Sequence, residues 1–399
     1  MNYFDLIRNH RGLLAIAFLA VFTGNLGQSF FIGLFQVSIS QQLNLTAGEF
    51  GNIYAAITIS GGFLVMYFGP KIDWVLPKRY ALFVLGALTI GLLLLTLSSW
   101  WLIGVLGLGL LRLSGQGLMT HFGLTLTGRE FTKTRGRALG LMGLAMPSGE
   151  IILPPLVAAM LVCLSWQQVW WFILAALLVL WFCLFMFVDW PDAPQTKQAI
   201  KAQPVQTKSP MRELRFWLLI PMLLVLPMTL TGIFLYQAQL TFDLGASTTT
   251  YALALTAMGL TRFPIALLGG RWVDDLGVAL LARTYLLPYA VALLIAAFIG
   301  GNLGVWILML GAGIGMSIST PVGDSLLIKL WGKEHLGRVR SLKSAFLVFS
   351  TGITPALLGF LMDQGIRFQT ILMGMFVYLL IAWLLAQSPI RQAARVNSA

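Results

Sequence analysis

The chain has 399 residues, 58% of them hydrophobic and only 10% charged, with 26 Lys and Arg against 14 Asp and Glu. A soluble domain carries about 25% charged residues, and barrel strands would alternate apolar with polar side chains, so the composition excludes both and leaves a helical protein that crosses a membrane repeatedly. The formal charge of +12 is read as basic loops on one membrane side rather than as a nucleic-acid surface.

A spanning helix needs about 20 apolar residues. Apolar windows between charged or turn-rich breaks predict twelve helices, near 12–40, 46–69, 80–98, 101–127, 138–163, 168–188, 216–240, 248–268, 277–299, 303–328, 342–362 and 368–387. The N-terminal segment lacks a small-residue cleavage signature and runs on into Asn25 and Gln28, which predicts a retained first span. One long polar, Pro-containing break, 189–215, separates a six-helix bundle at 1–188 from another at 216–399. Cys163 and Cys183 fall near opposite ends of consecutive helices, too far apart for a disulfide.

Lys and Arg sort by loop. With both termini in the cytoplasm, 23 of the 26 lie in the tails and inner loops, and only Arg112, Arg262 and Arg367 do not. The chain also repeats itself. Gly69 and Asp73 of GPKID recur as Gly270 and Asp274 of GRWVD, Gly136 and Arg137 as Gly337 and Arg338, Pro154 as Pro355, and Gln36 as Gln237, each pair 201 positions apart. A shared ungapped offset argues for duplicated halves.

Two repeated halves, a long inner linker, and Gly-x-x-x-Asp followed by basic residues after helices 2 and 8 resemble the major facilitator superfamily over essentially the whole chain. The resemblance implies an all-α membrane protein with twelve transmembrane helices in two pseudo-symmetric six-helix bundles. It also implies that Gly69 turns the chain and that Asp73 pairs with basic residues, here Arg135 or Arg137, to hold one access state closed. Gly270, Asp274 and Arg338 (or Arg340) are the counterparts. Trp74 and Leu76 depart from the motif, standing where a basic residue and a Gly are usual. The alternative is that these charges only solvate loops and set topology.

Ionisable residues inside a membrane cost about 2.5–3.5 kcal/mol at helix centre on insertion scales, so they mark a pathway or a pair. Four qualify: Arg112, Glu150, Arg262 and Asp324. Arg112 lies about 16 Å along its helix at 1.5 Å per residue, in RLSGQG, which resembles the fourth-helix Arg motif of the superfamily. It either grips a substrate carboxylate or pairs with Glu150. Glu150, about 20 Å into the fifth helix, sits in apolar AMPSGEIILPP, as a proton carrier or as a structural partner of an Arg. Arg262 and the segment EFTKTRGRALGLMGLAMPSG resemble the monocarboxylate-porter and oxalate-exchanger branch, although Met258 stands where monocarboxylate porters carry an Asp. Asp324 is a second candidate for proton coupling, unless it merely pairs with Arg338 or Lys343. His121, nine residues past Arg112, falls on the opposite helix face at 100° per residue and is read as packing.

Asn25 and Gln28 in the first helix, with Tyr236 and Gln237 in the seventh, are the polar substrate-lining candidates. The expected function is a secondary transporter moving a small organic anion, a carboxylate, with proton coupling, by alternating access. The alternative is a proton-driven efflux antiporter for drugs or metabolites, favoured by GLAMPSGE, which partly resembles the antiporter fifth-helix motif. No metal-ligand cluster, nucleophile–base spacing or phosphate-cradling loop stands out, so no enzyme, metal or cofactor is expected. The same reading expects a monomer in a bacterial inner membrane.

Overall fold

The computed structural model describes residues 3–131, 134–192, 210–332 and 336–395. All regular structure among them is helical, and the chain divides into two compact units, Met1–Thr46 with Ile53–Ile200, and Ala47–Asn52 with Lys201–Ala399. Among the described residues, eleven stretches are long and apolar enough to cross a membrane. The 29-residue helix Thr248–Leu276 occupies the place of the expected eighth span. Most of the expected linker, 193–209, lies outside the described residues.

In the first unit the leading span is discontinuous. Helix Tyr3–Thr23 gives way to a 3-10 turn at Gly24–Gly27, then to an extended Gln28 (φ −80°, ψ 151°) and a short helix Ser29–Gly33. Phe35 (φ −117°, ψ 4°) interrupts the chain again before helix Gln36–Leu43, which the left-handed Asn44 (φ 54°) terminates. The span starts well before the expected residue 12, with a kink at His10. The polar-looking leader is helical because Leu6 is buried against Phe131, Ala138 and Met142.

The second and third spans, Ala47–Phe68 and Pro77–Leu97, flank a 3-10 turn at Gly69–Asp73. The fourth runs Trp101–Arg112, continues as a π-helix over Leu113–Met119, and ends as Thr120–Glu130. This π segment lies against the 3-10 turn of the first span. A Cβ on Gly27 would overlap the Gln116 backbone nitrogen and stand 2.9 Å from the Leu111 oxygen, while one on Gly115 would stand 2.8 Å from the Gly27 nitrogen. Two backbones meet here with no side chain between them, the close approach that small residues permit in membrane helices. The fifth span, Arg135–Met142 and Ala145–Met160, and the sixth, Trp166–Phe187, complete the unit. Its buried centre includes Ile16, Tyr80, Val84, Phe122 and Trp181.

The second unit repeats the pattern with differences. Helix Leu214–Leu235 is uninterrupted until Tyr236 (φ −102°, ψ 34°), then Gln237–Leu244 ends at the left-handed Gly245 (φ 68°). Thr248–Leu276, Val278–Thr284 with Leu287–Phe298, the 31-residue Gly301–Trp331, Leu336–Asp363 and Phe368–Arg395 follow. Buried hydroxyls tie its helices together. Thr229 and Tyr289 share a 2.9 Å hydrogen bond, and Tyr285 donates to the Met222 carbonyl at 3.1 Å.

Candidate functional site

The broken first span and the π-containing fourth span converge on Arg112. Its side chain is buried, with 5% exposure, and the guanidinium stacks over the Tyr54 ring 4.1 Å from the centroid. Nη1 donates to the Gly27 carbonyl at 3.3 Å and to the Tyr54 hydroxyl, which in turn donates to Ser29 Oγ at 2.9 Å. A carbonyl released by the 3-10 break thus meets a charge that needs acceptors. An Arg stays protonated in a protein and offers five donors. Among the described residues Arg112 makes no ion pair, and its Nε and Nη2 have no hydrogen-bond partner. Two neutral oxygens and an aromatic face therefore hold this cation, and the Nε/Nη2 edge of the guanidinium has no partner among the described residues.

Gln28 is the extended residue between Gly27 and Ser29, and its side chain is half-buried. Asn25, fully buried, donates from Nδ2 to the Phe22 carbonyl at 2.9 Å and to the Ala145 carbonyl at 3.3 Å. It pins the break of the first span to the fifth. A Cβ on Gly149 would overlap the Asn25 amide, which accounts for a Gly beside Glu150. Asn25 Oδ1 is buried with no partner among the described residues. Glu150 is buried at 3% exposure and engaged in interactions of its own, though not in an ion pair with Arg112. In the second unit Arg262 is half-buried and also engaged.

Tyr236 and Gln237 differ sharply although adjacent. The Tyr236 hydroxyl donates to the Ala47 and Pro355 carbonyls, both at 2.9 Å. Gln237 is 5% exposed, and neither its Nε2 nor its Oε1 has a partner among the described residues.

Of the residues expected to gate, Gly69 is buried against the His121 ring, while Asp73 is exposed and makes no ion pair among the described residues. Lys71 lies 4.5 Å from the centroids of both Tyr67 and Phe68. Arg137 and Arg338 are exposed, and each is engaged in an interaction of its own. The side chains of Arg135, Gly270 and Asp274 lie outside the described residues. Asp324 does form an ion pair, but its partner is Arg340 rather than the expected Arg338 or Lys343. Arg340 Nη2 to Asp324 Oδ2 is 2.6 Å and Nε to Oδ1 is 3.2 Å, a two-point fit that Arg geometry allows and a Lys does not. The π segment between Arg112 and His121 does not advance 100° per residue, so the helical-wheel argument for His121 does not apply, while its ring packs against Gly69.

The family model described as Major Facilitator Superfamily matches residues 17–239 and again 219–398. The chain belongs to the major facilitator superfamily. It is a multi-pass membrane transporter of that family and not an enzyme. Among solved structures, a bacterial homolog to the human lysosomal transporter Spinster, in its inward-facing and unoccupied conformation, superposes with a TM-score of 0.70 at 12% identity, covering 97% of this chain and 98% of that one. The same homolog in its inward-facing and occupied conformation gives 0.70 and 12%, over 98% and 97%. These likenesses are of fold. No curated protein matches the chain by sequence.

Sequence reasoning missed Tyr54 and Ser29. Neither carries charge, and Tyr54 sits in NIYAAITISGG, where a Tyr reads as an ordinary apolar-helix residue. The available signal was the hydroxyl itself, since a buried Tyr O–H needs a partner.

Proposed function

We propose that this superfamily transporter moves a small organic anion bearing a carboxylate by alternating access, with protons as the coupling ion. The observation that carries the proposal is the Arg112 guanidinium, buried among neutral groups with its Nε and Nη2 edge unpartnered among the described residues. Burying an uncompensated charge costs several kcal/mol at least, on the order of the effective penalty for one ion; a carboxylate ligand supplies the missing charge. Arg262 is the anchor assigned to the second unit, and Gln28, Asn25, Tyr236 and Gln237 are the polar lining. Glu150 is the proposed proton carrier, with Asp324 the second candidate. The Lys and Arg distribution supports cytoplasmic termini in a cell inner membrane.

Counterflow in proteoliposomes with a panel of mono- and dicarboxylates is the direct test. Exchange of at least one carboxylate is expected; no carboxylate exchange alongside transport of a cation would reject the reading. Glu150→Gln should retain exchange and lose pH-driven accumulation, and retained accumulation would exclude it as the coupling group. Asp73→Asn and Asp274→Asn should slow turnover without impairing membrane insertion, as residues that stabilise one access state would.

A further inference from the structure

We propose that the turn joining the second and third spans binds the headgroup of an anionic phospholipid, its phosphate held by Lys71 and Arg79 between the aromatic side chains of Tyr67 and Trp74. The site goes beyond the transport reading and does not depend on the cargo. Helix Ala47–Phe68 gives way to the 3-10 segment Gly69–Asp73, and Pro77 starts the next span. The Trp74 and Val75 amides both donate to the Lys71 carbonyl, at 3.1 and 3.0 Å, so the Lys71 side chain leaves a fixed backbone.

The Lys71 ammonium lies 4.5 Å from the ring centroids of both Tyr67 and Phe68. Ring faces attract an ammonium through their quadrupole, but they offer no lone pairs to its three N–H donors. Among the described residues its Nζ has no hydrogen-bond acceptor and no ion pair, and Asp73, two residues on, makes no ion pair either. Lys71, Lys78 and Arg79 against the single Asp73 leave residues 69–79 with a surplus of two positive charges. Lys78 is engaged within the protein, donating to the Phe185 carbonyl at 3.0 Å, whereas Arg79 is exposed.

The surface beside these charges selects a lipid over a soluble anion. Phe63, Met66 and Tyr67 are exposed and spaced i, i+3, i+4, on one face of the second span. Phe83 of the third span, also exposed, lies 6.1 Å from the Phe68 ring and extends the apolar strip across both helices. In a membrane such a strip faces hydrocarbon, and Tyr and Trp mark its boundary with the headgroups. Trp74 is 76% exposed and stands where the superfamily motif usually carries a basic residue. That exchange trades a charge for an interfacial anchor. A phosphodiester supplies the oxygens that Lys71 and Arg79 lack, and its acyl chains cover the strip. The ammonium of a choline head would bring a third cation to the turn, which favours a net anionic lipid.

The test uses the purified full chain in detergent and three probes: dihexanoyl-phosphatidylglycerol, dihexanoyl-phosphatidylcholine and glycerol phosphate. Dissociation constants come from ligand-dependent thermal stabilisation, below the micellar concentrations of the lipids. Wild type is expected to bind the glycerol lipid about fivefold or more tightly than the choline lipid, the effect of one basic residue at a membrane surface, and glycerol phosphate more weakly than the glycerol lipid. Lys71→Gln should remove about fivefold of the affinity for the glycerol lipid and leave the choline lipid nearly unchanged. Arg79→Gln should act in the same direction and serves as the decisive variant if Lys71→Gln fails to fold. Trp74→Ala should weaken both lipids alike. Arg391→Gln, an exposed basic residue of the last span, should bind like wild type.

Equal affinity for the two lipids would overturn the anionic headgroup, and glycerol phosphate binding as tightly as the glycerol lipid would overturn the lipid in favour of a soluble phosphate. No stabilisation by either lipid, selectivity unchanged in both Lys71→Gln and Arg79→Gln, or an equal loss in Arg391→Gln would overturn the site at this turn. None of these readouts bears on carboxylate counterflow, so the cargo reading stands or falls separately.

Discussion

The two six-helix halves share a backbone plan and differ in chemistry. Both break the leading span at equivalent residues, Phe35 and Tyr236, and both stop the short helix that follows with a left-handed residue, Asn44 and Gly245. Where the first half has a 3-10 turn and an extended residue at 24–28, the second has uninterrupted helix over 225–229. Arg112 corresponds to Gly313, which packs against Met258, the counterpart of Ile57. Gln36 donates to Ser40 Oγ at 3.0 Å, but the equivalent Thr241 turns its hydroxyl back to the Gln237 and Ala238 carbonyls and leaves the Gln237 amide without a partner. The two halves thus share these turns, while the buried Arg112 lies in one and the unsatisfied Gln237 amide in the other.

Breaking the charge asymmetry should have the largest effect. Arg112→Gln is expected to lower carboxylate uptake by about 100-fold or more, in line with the 2–5 kcal/mol typical of truncating one member of a buried charge contact. Uptake within twofold of wild type, at matched membrane levels, would mean that the two halves do not differ in the way proposed.

The backbone asymmetry is tested by Gly27→Ala, whose Cβ meets main-chain atoms of the π segment. Overpacking of this kind costs about 1–3 kcal/mol and should appear as a lower melting temperature in detergent. Gly61→Ala, with open space around the added methyl, is the control and should melt like wild type. The matching residue in the second half is Met228, tolerated where the helix is unbroken.

A subtler contrast pairs Gln36→Leu with Gln237→Leu. Removing the satisfied amide should cost about 1 kcal/mol, whereas removing the unpartnered one should leave the melting temperature unchanged or raised while lowering uptake. Equal destabilisation by both would show that Gln237 has a structural partner. Smallest of all is Asp324→Asn, which dissolves a half-exposed pair with Arg340. Such pairs contribute about 0–1 kcal/mol, so a shift in melting temperature larger than that of Gly27→Ala would contradict the assignment.

Much of this was legible beforehand. Apolar run length placed the spans, and the shared offset of Gly69 with Gly270 and Asp73 with Asp274 exposed the duplication, because a membrane forces helices to be long and loops to be charged. The early helix start at Tyr3 was hidden because Leu6 pays its way only through Phe131 and Met142, residues far along the chain. Asp324 was read as a candidate for proton coupling or as a partner of Arg338 or Lys343, and the ion pair it makes is with Arg340, since spacing alone does not say which guanidinium faces it.

The amino-acid sequence by itself determined the span pattern, the repeat and the presence of an Arg deep within an apolar helix, since each follows from local composition and the cost of charge in lipid. Only the tertiary structure decided what that Arg meets. The π segment after Arg112 and the extended Gln28 arise where two spans cross at Gly27 and Gly115, and a crossing between residues some ninety positions apart leaves no periodic mark in either stretch. That crossing brings the Gly27 carbonyl and the Ser29-bonded Tyr54 hydroxyl to one guanidinium and leaves its remaining edge without a partner among the described residues.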